Sequence, residues 1–94
     1  MKKQRVLLIA PNLNGVKDGL NRIQPPLGLM LIANQVEKDG HIVKIQDTAL
    51  EGWNTRKEIS SRGLIEIGQT DEEIANLIRE FEPSIVGISV LFSN

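Results

Sequence analysis

Cysteine is absent from the 94 residues, and histidine and tryptophan occur once each. Without a thiol the chain itself can form no disulfide, no cysteine-based zinc site, no thiolate nucleophile and no iron–sulfur ligation. A single histidine, His41, argues against a multi-histidine metal site. Charge of either sign is also not in excess: 11 basic residues stand against 12 acidic ones, a net charge of −1. That balance gives no electrostatic case for nucleic acid or an anionic membrane as partner. Long apolar runs are missing too, since none approaches the roughly 20 residues of a membrane span. The basic start Met1-Lys2-Lys3-Gln4-Arg5 leads into an apolar stretch that covers only Val6 to Ala10. A signal peptide needs a longer one, so a cytoplasmic location is expected.

What is present is ordinary globular composition, 40% hydrophobic and 24% charged. Residues 1–94 make one small domain, and a chain of this size buries only about 60–65% of its unfolded surface. Val6-Leu7-Leu8-Ile9-Ala10 is continuously apolar and ends at Pro11, which suits a strand covered on both faces. A polar loop from Asn12 to Gln24 follows. From Pro26 the residues Leu29, Ile32, Ala33 and Val36 recur at helical spacing, and Gly40 stands where a left-handed cap ends a helix. Residues 41–47 begin β-branched and then alternate, with Lys44 and Gln46 directed to a wet face, as in an edge strand. Thr48 to Gly52 reads as loop, Trp53 to Ser61 as mixed with a short helical turn, and residues 63–68 as a short extended piece. Thr70-Asp71-Glu72-Glu73 is a capping box, and Ile74, Leu77, Ile78 and Phe81 continue it as an amphipathic helix that Pro83 stops. Ser84 to Phe92 is a third strand, apolar on both faces.

The expected elements are therefore strands at about 5–10, 41–47 and 84–92 and helices at about 26–38 and 71–82. Strand–helix alternation implies right-handed crossovers and a parallel sheet, here β-α-β-α-β with strand order 2-1-3. Ligands of such sheets bind beyond the carboxyl ends of the strands, where the winding reverses. Two segments converge there: Pro11 to about Gln24, and Ser89 to Asn94. They bring Asn12, Asn14, Ser89, Ser93 and Asn94, a neutral hydrogen-bonding surface without an acid/base pair, an activated nucleophile or a metal cluster. GxGxxG and GxxxxGK[ST] are both absent, as are the acidic residues of a phosphoacceptor receiver.

Arg5-Val6-Leu7-Leu8-Ile9-Ala10-Pro11 is followed by Pro25-Pro26-Leu27-Gly28-Leu29. Then come Glu37-Lys38-Asp39-Gly40-His41-Ile42-Val43 with Asp47, and Gly68-Gln69-Thr70-Asp71-Glu72-Glu73-Ile74. Phe81-Glu82-Pro83-Ser84-Ile85-Val86-Gly87-Ile88-Ser89 closes the set. In that order and spacing these segments resemble the amino-terminal cobalamin-binding domain of B12-dependent radical S-adenosylmethionine (SAM) enzymes, over nearly the whole chain. The resemblance implies a flavodoxin-like (Rossmann-like) three-layer fold that holds cobalamin at the carboxyl edge, beside Pro11, Asn12 and Asn14. Ser89-Val90-Leu91 looks like the Ser-x-Leu segment that such domains place beside the cofactor's nucleotide tail.

Two departures qualify what is implied. The loop after strand 1 lacks the Asp-x-His-x-x-Gly motif whose histidine ligates cobalt, and Asp39-Gly40-His41 opens strand 2 at the opposite edge. His41 is thus read as a strand-start residue, not a metal ligand. The chain also stops at strand 3, whereas the family domain continues with a Gly-Gly loop after strand 4. The expectation is a truncated domain from a methyltransferase-class enzyme, with SAM and the [4Fe–4S] cluster confined to the absent parent portion. The expected partners are cobalamin, held weakly or not at all by this chain alone, and the rest of the parent enzyme. The free edge of strand 84–92 further suggests a homodimer. Two alternatives stay open: a vestigial flavodoxin-like docking or structural module that binds no cobalamin, and an unrelated module for a nucleotide or flavin.

Overall fold

In a computed structural model, residues 2–17, 19–22, 24–60 and 63–89 are described. The chain is α/β. Strands β1 (Arg5–Ala10), β3 (Ile42–Asp47) and β6 (Ile85–Ile88) form a parallel three-stranded sheet in the order β3-β1-β6. Arg5 is in register with Ile42 and Val6 with Ile85. Between β1 and β3 lies α1 (Leu27–Lys38), and before β6 lies α3 (Asp71–Phe81).

Period-two alternation sends Val6 and Leu8 to one face of β1, and α1 covers them. Val6 and Leu8 cluster there with Leu29 and Ala33, flanked by Val36, Val43 and Ile45. Leu7 and Ile9 point to the other face, the side α3 approaches, and Leu7 is wholly buried. Pro26 caps α1 rather than opening it, and Gly40 follows the helix with φ +94°. The capping box of α3 closes as the sequence predicts. The Thr70 hydroxyl accepts from the Glu73 amide at 3.1 Å, and the Glu73 carboxylate accepts from the Thr70 amide at 3.0 Å. Glu82 ends that helix in a left-handed conformation, φ 52°.

Several expectations need correction. The stretch after β1 is not all loop: Leu13–Val16 is strand β2, which joins β5 (Leu64–Ile67) and β4 (Arg56–Glu58) in a separate antiparallel sheet ordered β2-β5-β4. Buried Ile65 and Ile67 on β5 anchor this sheet, and Gly15 and Leu13 pair opposite them. Within the stretch from Trp53 expected to hold a helical turn, Arg56–Glu58 is instead strand β4, and Ser61 lies outside the described residues. Residues 48–51, expected as loop, form the short helix α2 (Thr48–Glu51), because the Asp47 carboxylate accepts from the Leu50 amide as its N-cap.

Gln46, expected to face water, is buried, since its amide is hydrogen-bonded to Gln69 across the sheet's end. The third strand, expected to be covered on both faces, is not: Ile85 is 50% exposed, Val86 43% and Ile88 61%. Its neighbour in the sheet is β1, α1 sits over β1 and β3 instead, and α3 has no fully buried residue. The positions expected to continue this strand from Val90 to Phe92 lie outside the described residues. Among the described residues, no helix is long and apolar enough to cross a membrane.

Candidate binding cleft at the carboxyl edge

In a parallel sheet every strand-to-helix turn opens on the same edge. Here that edge holds Ala10, Asp47 and Ile88, the last residues of β1, β3 and β6. Beyond it lies a cleft of about 920 Å³, bounded by the run after β1, the start of α1, the start of α2 and the end of β6. Its floor is fixed by a buried polar girdle. Thr48, with no exposed surface, donates its hydroxyl to the Ala10 carbonyl at 2.9 Å. The Thr48 carbonyl accepts from the Gln69 amide at 3.1 Å. Gln46 Nε2 donates to Gln69 Oε1 at 2.9 Å, and Asn12 Nδ2 donates to the Gln69 carbonyl at 2.9 Å. Gln69 thus ties the end of β1, the end of β3 and the entry to α3 together.

A buried carbonyl deprived of its donor is costly, so Thr48→Val is expected to destabilise the fold by about 1–2 kcal/mol. Urea unfolding followed by circular dichroism should show a lower midpoint with an unchanged slope.

Of the residues singled out in the sequence, Pro11, Asn12, Asn14 and Ser89 all line this cleft. Pro11 and Asn14 are exposed, while Ser89 is half-buried and donates its amide to the Ile9 carbonyl at 3.0 Å. Asn12 lines the cleft and is also hydrogen-bonded on its protein side. Its Nδ2 donates to Glu66 Oε2 at 3.1 Å as well as to Gln69, so the amide turns into the protein. Its Oδ1 is buried, has no hydrogen-bond partner among the described residues, and packs over Gly68. Val90 and Leu91 lie outside the described residues. His41 is at the far edge, where its Nδ1 accepts from the Gln4 amide at 3.0 Å. Among the described residues there is no group of three or more His, Asp or Glu that could hold a metal ion.

Arg22 and Gln24 also line the cleft, within the segment from Pro11 to about Gln24 expected there though not singled out, and sequence reasoning missed Asp47 and Ala49. A signal for the last two was available: the turn after the second parallel strand must open on the same edge as the turn after the first.

These features define an open-sheet α/β protein with a mixed polar and apolar cleft at the carboxyl edge of its parallel strands. No family model and no solved structure matches the chain. Two relatives do, and both are methyltransferases. The chain is 38% identical over 92 residues to cytidylyl-2-hydroxyethylphosphonate methyltransferase of Streptomyces wedmorensis, covering 97% of this chain and 17% of that protein. It is 34% identical over 94 residues to an uncharacterized methyltransferase of Pyrococcus horikoshii, covering 99% of this chain and again 17% of the relative. The chain therefore spans about one-sixth of the length of the relatives it matches.

Proposed function

We propose that this chain is the amino-terminal part of a flavodoxin-like cobalamin-binding domain in a cytoplasmic, B12-dependent radical SAM methyltransferase. The observation that carries the reading is the cleft where β1 and β6 end. Supporting it is the similarity of nearly the whole chain to one segment of two methyltransferases. The lining suits a corrin, whose rim carries neutral amides and whose faces are apolar. Asn14, Gln24 and Ser89 offer neutral hydrogen-bonding groups, and Pro11, Pro25, Leu27 and Ile88 offer apolar surface in the same cleft. Such a mixture is what binding clefts use to combine affinity with orientation.

Pro11, Asn14 and Ser89 would hold the cofactor, while Asn12 would hold the loop that carries the first two. Cobalamin, when bound, supplies a cobalt centre able to accept and give up a methyl group. His41, hydrogen-bonded at the opposite edge, would not ligate that cobalt. SAM and the iron–sulfur cluster would belong to the remainder of the parent enzyme, which is the partner this reading requires.

The test is a hydroxocobalamin titration of the isotopically labelled protein, followed in amide proton–nitrogen correlation spectra so that weak binding registers. Shifts are expected at Asn12 to Asn14, Gln24, Leu27 to Leu29, Asp47 to Ala49 and Ile88 to Ser89, with the His41 region silent. Shifts centred on the amino-terminal edge, or a full-length parent enzyme that takes up no cobalamin, would reject cobalamin and favour a docking module of the same fold.

A further inference from the structure

We infer that Arg22 supplies the counter-ion for the phosphodiester of the cobalamin nucleotide tail, an inference that rests on the cofactor reading above. Two charged residues line the cleft, Arg22 and Asp47. The Asp47 carboxylate already has a role, accepting from the Leu50 amide at 3.2 Å as the N-cap of α2. Arg22 is exposed, and among the described residues it makes neither an ion pair nor a hydrogen bond. The other lining residues are uncharged. Arg22 is therefore the one cationic group of the cleft wall, and the wall's one carboxylate, Asp47, is engaged at the cap of α2.

Cobalamin matches that pattern group for group. Its corrin periphery is made of neutral amides, and its one anionic group is the phosphodiester joining the ring to the base. A guanidinium suits this group because its planar donors can meet two phosphate oxygens at once. An arginine that serves the fold would show a carboxylate, a carbonyl or an aromatic ring as partner. Arg5 does, with its Nε 2.8 Å from the Phe81 carbonyl and its guanidinium 4.4 Å from the Phe81 ring centre. Arg22 has no such structural role among the described residues.

The experiment compares hydroxocobalamin with cobinamide, which lacks the nucleotide tail and its phosphodiester. Affinities are read from the same amide-shift titrations on the unaltered chain, on Arg22→Gln and on Arg22→Lys. The unaltered chain is expected to prefer cobalamin by roughly two- to fivefold, the range of a solvent-exposed ion pair. Added salt should erode that preference. Arg22→Gln should bring cobalamin down to the cobinamide level and leave cobinamide unchanged, while Arg22→Lys keeps part of the preference. Because Arg22 is exposed and unpaired, the variants should match the parent's thermal midpoint. Equal weakening of both corrinoids by Arg22→Gln, or no change in either, would overturn the proposal while leaving the cofactor reading intact. Failure of both this chain and its full-length parent to respond to either corrinoid would overturn both.

Discussion

Replacing Gly52 with alanine is expected to cost about 3 kcal/mol or more and to lower the thermal midpoint by more than about 10 °C. The backbone angle is not the reason, since φ is −107° there, open to any residue. The reason is space. A Cβ on Gly52 would stand 2.5 Å from the Gly68 carbonyl oxygen, and closer still to the Gly68 carbonyl carbon and the Gln69 nitrogen. All three are backbone atoms, so no rotamer change can relieve the overlap. The segment that would have to move carries the hydrogen bond from the Gln69 amide to Thr48 and that from the Gly68 amide to Thr55. Retreat of this segment would also withdraw the partners of Asn12 and Gln46. Gly40→Ala is the control. It has φ +94° but nothing within 4 Å of the added carbon, so its cost is conformational only, about 1 kcal/mol. A thermal melt of Gly52→Ala matching that of Gly40→Ala would show that the 48–52 and 68–69 segments do not abut as described.

Leu7→Ala is expected to remove about 3–4 kcal/mol, within the range for a buried leucine whose surroundings cannot collapse. Leu7 has no exposed surface and lies in the middle of the central strand, with Lys44 on one side and Val86 on the other. Two ladders hold its backbone, so little relaxation is available to fill the void. Ile88→Ala on the neighbouring strand removes a side chain of similar size from a residue 61% exposed, and should change stability by less than about 0.5 kcal/mol. Chemical denaturation of both variants measures the contrast, and comparable losses would contradict the uneven burial of the two strands.

The sequence and the structure agree where one segment's own pattern decides its form. The Thr70 capping box and the repeat from Ile74 to Phe81 specify α3 without help from the rest of the chain. The apolar run from Val6 to Ala10 marks a covered strand in the same way. The antiparallel sheet is legible only at its central strand: residues 63–68 read as an extended piece and β5 lies there, whereas β2 and β4 do not show, for the opposite reason. Arg56-Lys57-Glu58 carries no apolar residue, and its extended form comes from pairing with β5, which is context and not propensity. Ile85, Val86 and Ile88 show the converse limit: apolar pattern reveals what a strand can bury, not whether anything covers it. At the cleft, strand-end residues such as Pro11 and Ser89 could be inferred from topology. Topology brought Arg22 only as part of the segment from Pro11 to about Gln24; which of its side chains line the cleft depends on the path of the loop between β2 and α1.

The position of β1 has a consequence for synthesis. This strand leaves the ribosome before its sheet partners, yet one of them, β6, is the last of the described strands. The intervening segment must be made before the second ladder can close, a long-range pairing of the kind that forms slowly. Until then the nascent chain exposes its most apolar strand, Val6 to Ala10, on the side that β6 later takes. β3 and α1 are available much sooner, and the Val6, Leu8, Leu29 and Ala33 cluster lets them shield one edge and one face. The interval between the emergence of Asp47 and that of Ile88 is therefore when a nascent-chain chaperone would have most to protect.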